Sequence, residues 1–600
     1  MSAKPVRRAA GVWKLKPASL EARNLADVAG LSLLEAQILF NRGIRDVQSI
    51  KTFLSPRLSS LIDPLMLKDM DRAIALIMKG LEEQEPITIY GDYDADGLTA
   101  TALLVHLLTR LEIPVSYYIP NRLTEGYGLN PAAARQLAAG NRGLLITVDC
   151  GISNQEEVRL LQHLGMKVIV TDHHQVPEGF DPSCPVVNPH RSDCPFPFKM
   201  LSGVGLAFFL AVALRSALRN KGWFRSRPEP DLREYLDLVA LGTVADMAPL
   251  LGQNRILVKS GLERMAKSSW PGVKALGEIS EIGPRVSMSA EDLSFRLAPR
   301  LNACGRMGDA GTGIRALISL DPVEARNLCG KLNEFNIRRQ GIEKSILAEI
   351  EESIPSSVDP EQRRTLVFAG NGWHKGVLGI VASKLAETYC RPAVVLDIVD
   401  GIATGSARSI PGFDLYRAIA GVKPLLNRFG GHPYAAGLSL DVSRIREFSR
   451  AFEAAAREQI KPADLIPAVE VDACVDFGNL DLKAVERLRS FGPFGSGNPE
   501  PVFCTTGTQI IDARQVGEKH LRLKLKKGSI AMEAIGFGMA GCIPPGCGEI
   551  NVVFTPIISR WQGAKKVELK VLDLEEAGGE SKLRVDEPLP QASEGEKFRR

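Results

Sequence analysis

The stretch Ile87–Leu111, ITIYGDYDADGLTATALLVHLLTRL, constrains the fold and chemistry of this chain more than any other. Ile87–Tyr90 is short and mostly apolar, which predicts a buried strand. Thr99–Leu111 repeats apolar residues at helical spacing and therefore predicts a helix. The segment between the strand and the helix carries the chemistry.

Three aspartates, Asp92, Asp94 and Asp96, occupy every second position of that segment, which Gly97 closes. Carboxylates packed this tightly repel one another and need compensation by protons or cations. Hard divalent ions such as Mg²⁺ or Mn²⁺ suit clustered oxygen ligands. An EF-hand loop is disfavoured, because Leu98–Leu107 continues as apolar helix and offers no glutamate at the closing position. An acidic, solvated turn remains the alternative for this stretch alone.

The composition indicates a soluble protein with several domains. A single hydrophobic core stops growing well below 600 residues, and the 45% hydrophobic and 24% charged fractions are ordinary. The net charge of +4 is small, so a nucleic-acid partner would need positive charge concentrated locally. Residues 1–19 lack the apolar region of a signal peptide, and the longest apolar run, Gly203–Leu214, is too short to span a bilayer. We expect a cytoplasmic protein without membrane contact.

The ten cysteines are scattered and form no CxxC pair. Cys184 and Cys194 flank His190, so a zinc site is one interpretation. Reduced thiols in a cytosolic protein are the simpler one.

Several chemically active side chains follow predicted strands. Four segments predict a mainly parallel sheet, with helical stretches between most of them: Ile87–Tyr90, Val115–Ile119, Leu144–Val148 and Val168–Val170. Three of these strands are followed by potential metal ligands: Asp92, Asp94 and Asp96; Asp149; and Asp172, His173 and His174. Each residue alone could be a helix cap or turn residue. Because the carboxyl ends of parallel strands share one edge, we expect these side chains to meet in one pocket.

A further candidate ligand is Asp246 in GTVADMAPL, although it could simply close the apolar helix before it. In the adjacent pair His173–His174, one imidazole can ligate a metal while the other contacts a phosphate. Four or more carboxylates and an imidazole are sufficient for two metal ions about 4 Å apart. The natural chemistry of such a pair is phosphoester hydrolysis.

The order of patterns predicts an α/β protein with six segments. Residues 1–50 are a basic arm with a small helical segment, 51–320 a parallel-sheet domain, and 321–360 a long connector helix, interrupted at Gly341, with a linker. Residues 361–462 predict a second, smaller α/β domain. Short alternating runs in 463–575 predict a small β-barrel, and the charged residues 576–600 a disordered tail.

Four ordered motifs resemble those of the DHH phosphoesterase family: DYDADG (Asp92–Gly97), VDCG (Val148–Gly151), DHH (Asp172–His174) and VADMAPL (Val244–Leu250). Three more resemble the bacterial members of that family that degrade single-stranded DNA from the 5′ end: Ser202–Ala211, Arg300–Ala310 and Phe491–Pro501. Gly372–Leu385 and Gly430–Gly437 resemble the DHHA1 domain that accompanies DHH domains. The resemblance covers about residues 30–575 and implies an OB-fold-like barrel in 463–575.

The resemblance implies two overlapping ligand sets: Asp96, Asp149, His173 and Asp246 for one ion, and Asp92, Asp94 and Asp149 for the other. Asp149 would bridge the ions, and His174 would contact the scissile phosphate. Smaller DHH enzymes place a ligating histidine where this chain has Tyr90, and the neighbouring Asp92 would replace it.

Candidate phosphate contacts lie in the second α/β domain. Ser406, Arg408 and Ser409 combine hydroxyls with a guanidinium, which suits a phosphate, although a surface arginine beside a turn is the alternative. Gly431 permits close backbone approach, and His432 would bind phosphate there unless it is satisfied in a core. In a family member this group would face the metals across a cleft and hold a 5′-terminal phosphate.

Other residues are predicted to contact the strand. Arg300 and Arg306 would guide it to the metals with help from Asn302, and Arg122 would assist in holding the 5′-terminal phosphate. The barrel offers a basic strand with nearby aromatics: Arg522, Lys524, Lys526 and Lys527 with Phe491 and Phe494. A solvated strand face is the alternative for these cations, and a solvated surface is favoured for the basic run Arg215–Arg233.

The resulting hypothesis is a single-stranded-DNA-specific 5′→3′ exonuclease with two Mn²⁺ or Mg²⁺ ions that releases mononucleotides in DNA repair and recombination. The resemblance also implies work with a helicase and a single-strand-binding protein. An oligoribonuclease or small-nucleotide phosphodiesterase of the same family, and an inactive scaffold that binds single strands, are the alternatives.

Overall fold

The computed structural model describes residues 11–140, 143–282, 288–354, 362–543, 546–561, 564–579 and 581–585. The chain divides into two compact units. One, called here the site unit, comprises residues 55–345 and 493–499. The other, called the flanking unit, comprises residues 1–54, 346–492 and 500–600.

The site unit contains a five-stranded sheet in which every pairing is parallel, as predicted. Its strands, in spatial order, are Val115–Tyr118, Ile87–Gly91, Leu144–Val148, Lys167–Thr171 and Val186–Val187. The last strand was not predicted, because two valines give no periodicity to detect. Ile87 pairs with Val115 on one side and Leu144 on the other, so the neighbouring strands end at one edge.

Helices cover this sheet and extend the core: Met70–Glu82, Ala95–Arg110, Pro131–Gly140, Gln155–His163, Gly203–Asn220, Leu236–Ala245, Gly252–Met265, Pro271–Ile279, Ala290–Asp292, Ala298–Arg306 and Ala310–Ile318, with a π-helical turn at Leu293–Leu297. Ala95–Arg110 is buried from Ala95 to Leu108, and Leu103 and Leu107 are fully inaccessible. Truncating either leucine to alanine would cost about 2–5 kcal/mol of the free energy of unfolding. The aspartate loop therefore leads into a deeply buried helix of the unit.

The predicted connector is one helix, Pro322–Ser353, which continues through Gly341. The expected interruption at this glycine is wrong. A glycine within a helix of 32 residues costs only about 1 kcal/mol relative to alanine, which packing elsewhere offsets.

The flanking unit contains the second α/β domain. Its five strands, in spatial order, are Arg428–His432, Ala435–Asp441, Ile402–Arg408, Ala393–Val399 and Leu366–Asn371. Its helices are Lys375–Tyr389, Leu415–Gly421 and Ile445–Gln459. Arg408 therefore ends a strand and does not lie in a turn.

A closed five-stranded barrel follows, as predicted. Its strands, in order around the barrel, are Phe503–Val516, His520–Lys527, Ile530–Gly536, Ala564–Glu576 and Glu549–Trp561. The last strand pairs back with the first and closes the sheet. Leu521, Leu523 and Leu525 alternate inward, which explains the apolar and basic alternation of the sequence. The short strand Ala473–Cys474 and the helix Leu482–Arg489 precede the barrel.

The two ends of the described chain pair in a small sheet. Val12–Leu15 lies between Ala468–Val471 and Leu583–Val585, parallel to both. The prediction of a disordered tail from residue 576 is therefore wrong for Leu583–Val585, while 586–600 and the basic arm 1–10 lie outside the described residues. The N-terminal helical segment comprises Leu20–Ala29, Leu33–Asn41 and Val47–Leu54.

Cys474 and Cys504 occupy paired positions of neighbouring strands, with their sulfur atoms in contact, and the other eight cysteines are free thiols. Among the described residues, the groups with metal-ligand geometry include neither Cys184 nor Cys194. This geometry does not support the zinc interpretation. Within the same residues, one helix, Gly203–Asn220, has the length and hydropathy to cross a membrane, but 67% of it is buried in the protein core.

Candidate active site

The site unit brings the candidate ligands from four chain segments into one pocket. The Nε2 atom of His173 lies 3.0 Å from Oδ1 of Asp149 and 3.9 Å from Oδ2 of both Asp96 and Asp246. Ligand atoms of Asp92, Asp94 and Asp149 lie within 4.8 Å of one another, as do those of Asp96, His173 and Asp246. Since His173 contacts Asp149 as well, the two groups adjoin.

The first turn of helix Ala95–Arg110 fixes the aspartate loop. Asp94 caps this helix, because its carboxylate accepts hydrogen bonds from the amides of Asp96 and Gly97 at 3.0 and 3.1 Å. Gly97 has no Cβ, which would otherwise lie 2.6 Å from backbone atoms of Asp92. This contact folds the loop tightly and turns three carboxylates toward one pocket.

Asp96 is held by the start of another helix. Its two carboxylate oxygens accept hydrogen bonds from the amides of Gly203 and Val204 at 2.6 and 2.9 Å. These are the first residues of helix Gly203–Asn220, where the free amides and the helix dipole stabilise negative charge. A Cβ at Gly203 or Gly242 would lie 2.6–2.8 Å from atoms of Asp149 or Asp96, so these glycines allow helices to approach the carboxylates.

Asp149 adopts a left-handed backbone conformation, with φ of 62°. This conformation is uncommon for a residue other than glycine and is typical of strained functional sites. The Asp149 amide donates to the carbonyl of Thr171 at 3.1 Å, and its own carbonyl accepts from the hydroxyl of Tyr127 at 3.2 Å. Its carboxylate thereby lies between the two groups of ligands.

The carboxylates of the pocket carry uncompensated charge. Burial and the charge of Asp246 raise the pKa of Asp96 to about 7, and burial and the charge of Asp94 raise that of Asp246 to about 7. Burial and mutual repulsion also raise the pKa values of Asp92 and Asp149 well above the ordinary range. Burial lowers the pKa of His173, which favours the neutral imidazole that metals bind.

The donor set fits two hard or borderline divalent cations such as Mn²⁺ or Mg²⁺. Among the described residues of this pocket, three buried atoms make no hydrogen bond, although two of them lie close to each other: Oδ1 of Asp92, Oδ1 of Asp149 and Nε2 of His173. Orphaned buried polar atoms are costly unless a ligand satisfies them. Carboxylate oxygens and one imidazole nitrogen, in groups that adjoin at Asp149, match a two-metal site.

His174 turns to a different partner. Its Nδ1 lies 2.7 Å from Oδ1 of Asp172 and 3.0 Å from the hydroxyl of Tyr127. Burial lowers the pKa of His174, but the hydrogen bond and charge of Asp172 outweigh this effect and raise it to about 9. His174 is therefore cationic at neutral pH and suited to a phosphate.

Tyr127 was missing from the predicted site residues, and Asp172 was predicted only as a potential metal ligand, not as the partner of His174. Asp172 is fully buried and also accepts from the amide of Ile152 at 2.9 Å. A carboxylate directly before two histidines is a signal that could have identified it as their orienting partner. Tyr127 gave no such signal, because the contact depends on how its loop folds over the sheet.

The four residues of the site unit that were predicted to contact the substrate have different surroundings. Arg122 lies over the ring of Tyr93 at 4.9 Å, and its charge favours the ionised form of Asp92. Arg306 ends helix Ala298–Arg306, where the charge of Arg306 likewise favours the ionised form of Tyr93. Both therefore lie near the aspartate loop.

The other two predicted guides support the protein itself. The carbonyl of the Asn302 side chain accepts from the amide of Ala95 at 2.8 Å, so Asn302 fixes the start of the aspartate-loop helix. Arg300 donates to Oδ1 of Asn333 at 3.0 Å and to the carbonyl of Arg296. These contacts give both residues a structural role, and their guiding of the strand stays a prediction.

In the flanking unit, Ser406 and Arg408 occupy one face of strand Ile402–Arg408. A Cβ at Gly379, in helix Lys375–Tyr389, would lie 2.8 Å from the Arg408 guanidinium and 3.5 Å from the Ser406 hydroxyl. Arg408 and His432 both pair with Ala435, so the three form one row across adjacent strands. Ser406, Arg408 and His432, called here the anion group, therefore lie close together.

Ser409 and Gly431, which were also predicted to contact phosphate, make contacts within the domain itself. The Ser409 hydroxyl donates to the carbonyl of Phe413 at 2.7 Å and fixes the loop. Gly431 does permit a close approach, but the neighbour is its own hairpin, since a Cβ there would lie 2.3 Å from the carbonyl of Ala435. Ser409 and Gly431 therefore support the backbone next to the anion group.

Only some of the residues predicted to bind nucleic acid at the barrel are accessible for that role. Phe491 is 1% exposed and packs against Phe53, so its predicted role in stacking on bases is wrong. Arg522 pairs with Glu533 and Glu568 at 3.7 and 3.6 Å, and Lys527 donates to the carbonyl of Thr506 at 2.7 Å. Lys524 remains exposed, with Lys526 half-buried.

In the basic run Arg215–Arg233, Arg219 and Arg233 are exposed to solvent, as favoured, whereas Arg215 is partly buried. Arg215 and Arg219 pair with Glu229, and Arg233 pairs with Asp231.

Three domain families match along the chain. Residues 86–243 match the N-terminal domain of the DHH family, residues 363–458 the DHHA1 domain, and residues 471–573 the RecJ OB domain. A metal-ligand pocket at the edge of a parallel sheet, followed by these domains, defines a phosphoesterase of the DHH class.

Comparisons that cover most of the chain identify the family within this class. The chain is 37% identical to the single-stranded-DNA-specific exonuclease RecJ of Dickeya dadantii over 90% of this chain and 96% of the relative. The crystal structure of RecJ from Thermus thermophilus in complex with Mn²⁺ is similar with a TM-score of 0.80 and 33% identity, over 95% of this chain and 80% of that one. Its complex with Mg²⁺ is similar with a TM-score of 0.74 and 32% identity, over 94% and 78%. The chain belongs to the RecJ family.

Proposed function

We propose that this chain is a metal-dependent 5′→3′ exonuclease specific for single-stranded DNA, which releases mononucleotides in DNA repair and recombination. The observation that carries the proposal is the meeting of Asp96, Asp149, His173 and Asp246 in one buried pocket of a RecJ family member. Similarity to exonucleases whose structures contain Mn²⁺ and Mg²⁺ supports both the reaction and the cofactors.

The ligands are assigned to two overlapping sets: Asp96, Asp149, His173 and Asp246 for one divalent ion, and Asp92, Asp94 and Asp149 for the other. Bound ions supply activation of water and stabilisation of the charge that develops on the phosphate during in-line displacement. The protein keeps the carboxylates oriented through the helix amides that hold Asp96 and the cap made by Asp94. This preorganisation limits reorganisation during the reaction.

His174 acts on the substrate. With a pKa of about 9 it remains protonated at neutral pH, and Asp172 fixes its Nδ1, which leaves Nε2 to donate to a non-bridging phosphate oxygen. Such a charge-assisted hydrogen bond strengthens as negative charge grows in the transition state. Arg122 adds positive charge near the aspartate loop.

Polarity is assigned to the anion group. An arginine and a histidine in one row of a sheet, with a serine on the same face, offer donors to a terminal phosphate dianion. A 5′-phosphorylated end would be preferred to a 5′-hydroxyl end. Exposed Lys524 and the barrel to which it belongs are proposed to hold the strand farther from its end.

The experiment compares a long 5′-phosphorylated single strand, its duplex, a 5′-hydroxyl strand and dinucleotides, each with Mn²⁺, Mg²⁺ or chelator. The proposal predicts metal-dependent release of mononucleotides from the phosphorylated single strand, slow digestion of the duplex and no reaction with chelator. Faster turnover of dinucleotides would favour the small-nucleotide phosphodiesterase alternative. Binding of the strand without turnover in any metal would favour the inactive scaffold.

The cellular setting belongs to the same proposal. A single-strand exonuclease needs unwound DNA, so a helicase that supplies it and a single-strand-binding protein that covers it are the expected partners. Cytoplasmic location is the corresponding expectation. Co-purification of the chain with either partner on forked DNA would test this part separately.

A further inference from the structure

Tyr434 presents an aromatic ring to solvent beside the anion group. It lies in the turn between strands Arg428–His432 and Ala435–Asp441, and it is 73% exposed. Among the described residues 363–458, the other strongly exposed aromatic is Tyr416, at 42%, and its ring packs against Phe429 at 5.9 Å. Tyr434 is therefore the more exposed of these two aromatic residues.

The turn that carries Tyr434 is fixed to the residues around Arg408. The amide of Ser409 donates to the carbonyl of Tyr434 at 3.0 Å, and the amide of Leu415 donates to the carbonyl of Pro433 at 3.0 Å. Ala435, the next residue, pairs with Arg408 across the sheet. The ring is thus displayed from an ordered backbone one residue away from the row that contains Arg408 and His432.

An exposed ring beside a phosphate-binding group suits a nucleotide. A base is covalently linked to its 5′-phosphate through one sugar, so a phosphate on Arg408 brings the base of the same nucleotide near the turn. Base stacking on an aromatic ring tolerates every sequence, because each base has a π-face. Such tolerance is required of an enzyme that removes successive nucleotides of any sequence.

We propose that Tyr434 is a stacking platform for the base of the 5′-terminal nucleotide, a contact that rests on the proposed function and on the phosphate assigned to Arg408. Tyr434 then contributes to substrate recognition through the base, and the anion group through the phosphate. Phenylalanine or tryptophan at this position retains the contact, since the stacking requires the ring and not the hydroxyl.

The test is a cycle of two changes, one in the protein and one in the substrate. Steady-state kcat/KM is measured with Mn²⁺ on two short 5′-phosphorylated single strands, one with a normal 5′-terminal nucleotide and one with an abasic one. The proteins are wild type, Tyr434→Ala, Tyr434→Phe and Tyr416→Ala, the last being an exposed aromatic on the same domain.

The wild type should prefer the base-bearing strand by about tenfold. Tyr434→Ala should lose that preference and fall to the abasic level on both strands, whereas Tyr434→Phe and Tyr416→Ala should keep the preference. The same preference in Tyr434→Ala as in wild type, or no preference in wild type, would overturn the inference while leaving the exonuclease intact. An inactive wild type would instead overturn the proposed function, and this inference with it.

Discussion

The backbone amide of Gly203 donates a 2.6 Å hydrogen bond to Oδ2 of Asp96, so a core helix begins at a candidate metal ligand. This helix, Gly203–Asn220, is largely buried, and its position is therefore set by the core of the unit. The hydrogen bond therefore holds the Asp96 carboxylate in a fixed position. The start of the helix also supplies partial positive charge while no cation is bound.

Gly203→Ala should damage the metal site without unfolding the protein. The new Cβ would lie 2.6 Å from Cβ of Asp149, so the helix start and the Asp149 carboxylate must separate. We expect at least a tenfold loss of Mn²⁺ affinity, measured by calorimetry, and a parallel loss of exonuclease rate. Gly341→Ala is the control, because nothing lies within 4 Å of its Cβ position, and it should leave both quantities unchanged. Unaltered Mn²⁺ binding in Gly203→Ala would contradict the proposed placement of the ligands.

Asp172→Asn should separate catalysis from metal binding. Loss of the carboxylate removes the main cause that raises the pKa of His174, so that pKa should fall from about 9 toward its ordinary range. We expect kcat to decrease about 100-fold, with Mn²⁺ stoichiometry unchanged. NMR titration of His174 checks the first effect and steady-state kinetics the second. A variant with wild-type kcat would show that His174 needs no anionic partner.

Arg408→Ala should weaken recognition of the 5′ end. Loss of charge-assisted hydrogen bonds to a phosphate would raise KM for a 5′-phosphorylated strand about 10- to 100-fold and abolish its advantage over a 5′-hydroxyl strand. Arg446→Ala, at an exposed position of helix Ile445–Gln459 in the same domain, is the matched control and should keep the advantage. Persistence of the advantage in Arg408→Ala would place the phosphate contact elsewhere.

The stability of the metal-free protein should fall as pH rises from about 4 to 7. Asp96 and Asp246 have pKa values raised to about 7 in the folded state, above the ordinary value of about 3.8 in the unfolded chain. The folded state then binds more protons within this window, so stability is full below it and is lost as pH rises through 7. Because protons and Mn²⁺ compete for the same carboxylates, Mn²⁺ should raise the Tm more at pH 8 than at pH 5.5. Equal Mn²⁺ effects on the Tm at both pH values would disagree with these shifts.

The sequence predicted the catalytic architecture better than the supporting contacts. Alternating aspartates after a strand, and paired polar residues after two others, are local patterns with a geometric consequence in a parallel sheet. The contact between Asp96 and Gly203, by contrast, joins residues 107 positions apart and has no local signature. The hydrogen bond between Asn302 and the amide of Ala95 likewise joins distant residues and has no local signature.

Contacts between residues that are distant in sequence account for the other wrong predictions. Phe491 has the composition of a stacking residue, but its packing against Phe53 depends on the N-terminal helices, which are distant in sequence. Arg522 has the pattern of a nucleic-acid contact, but its acidic partners lie on other strands of the barrel. Leu583–Val585 has tail-like neighbours, and it forms a strand by pairing with the distant segment Val12–Leu15.

The proposed catalysis by two metal ions depends most directly on Asp149, whose carboxylate adjoins both groups of ligands. The decisive measurement is the rate of mononucleotide release from a 5′-phosphorylated single strand by Asp149→Asn in Mn²⁺, alongside the number of Mn²⁺ ions bound per chain. We predict two ions in wild type, fewer in the variant, and a loss of rate of at least about 1,000-fold with binding of the strand retained. A variant that binds two ions and digests the strand at the wild-type rate would contradict the assignment of Asp149 as a ligand of a two-metal exonuclease site.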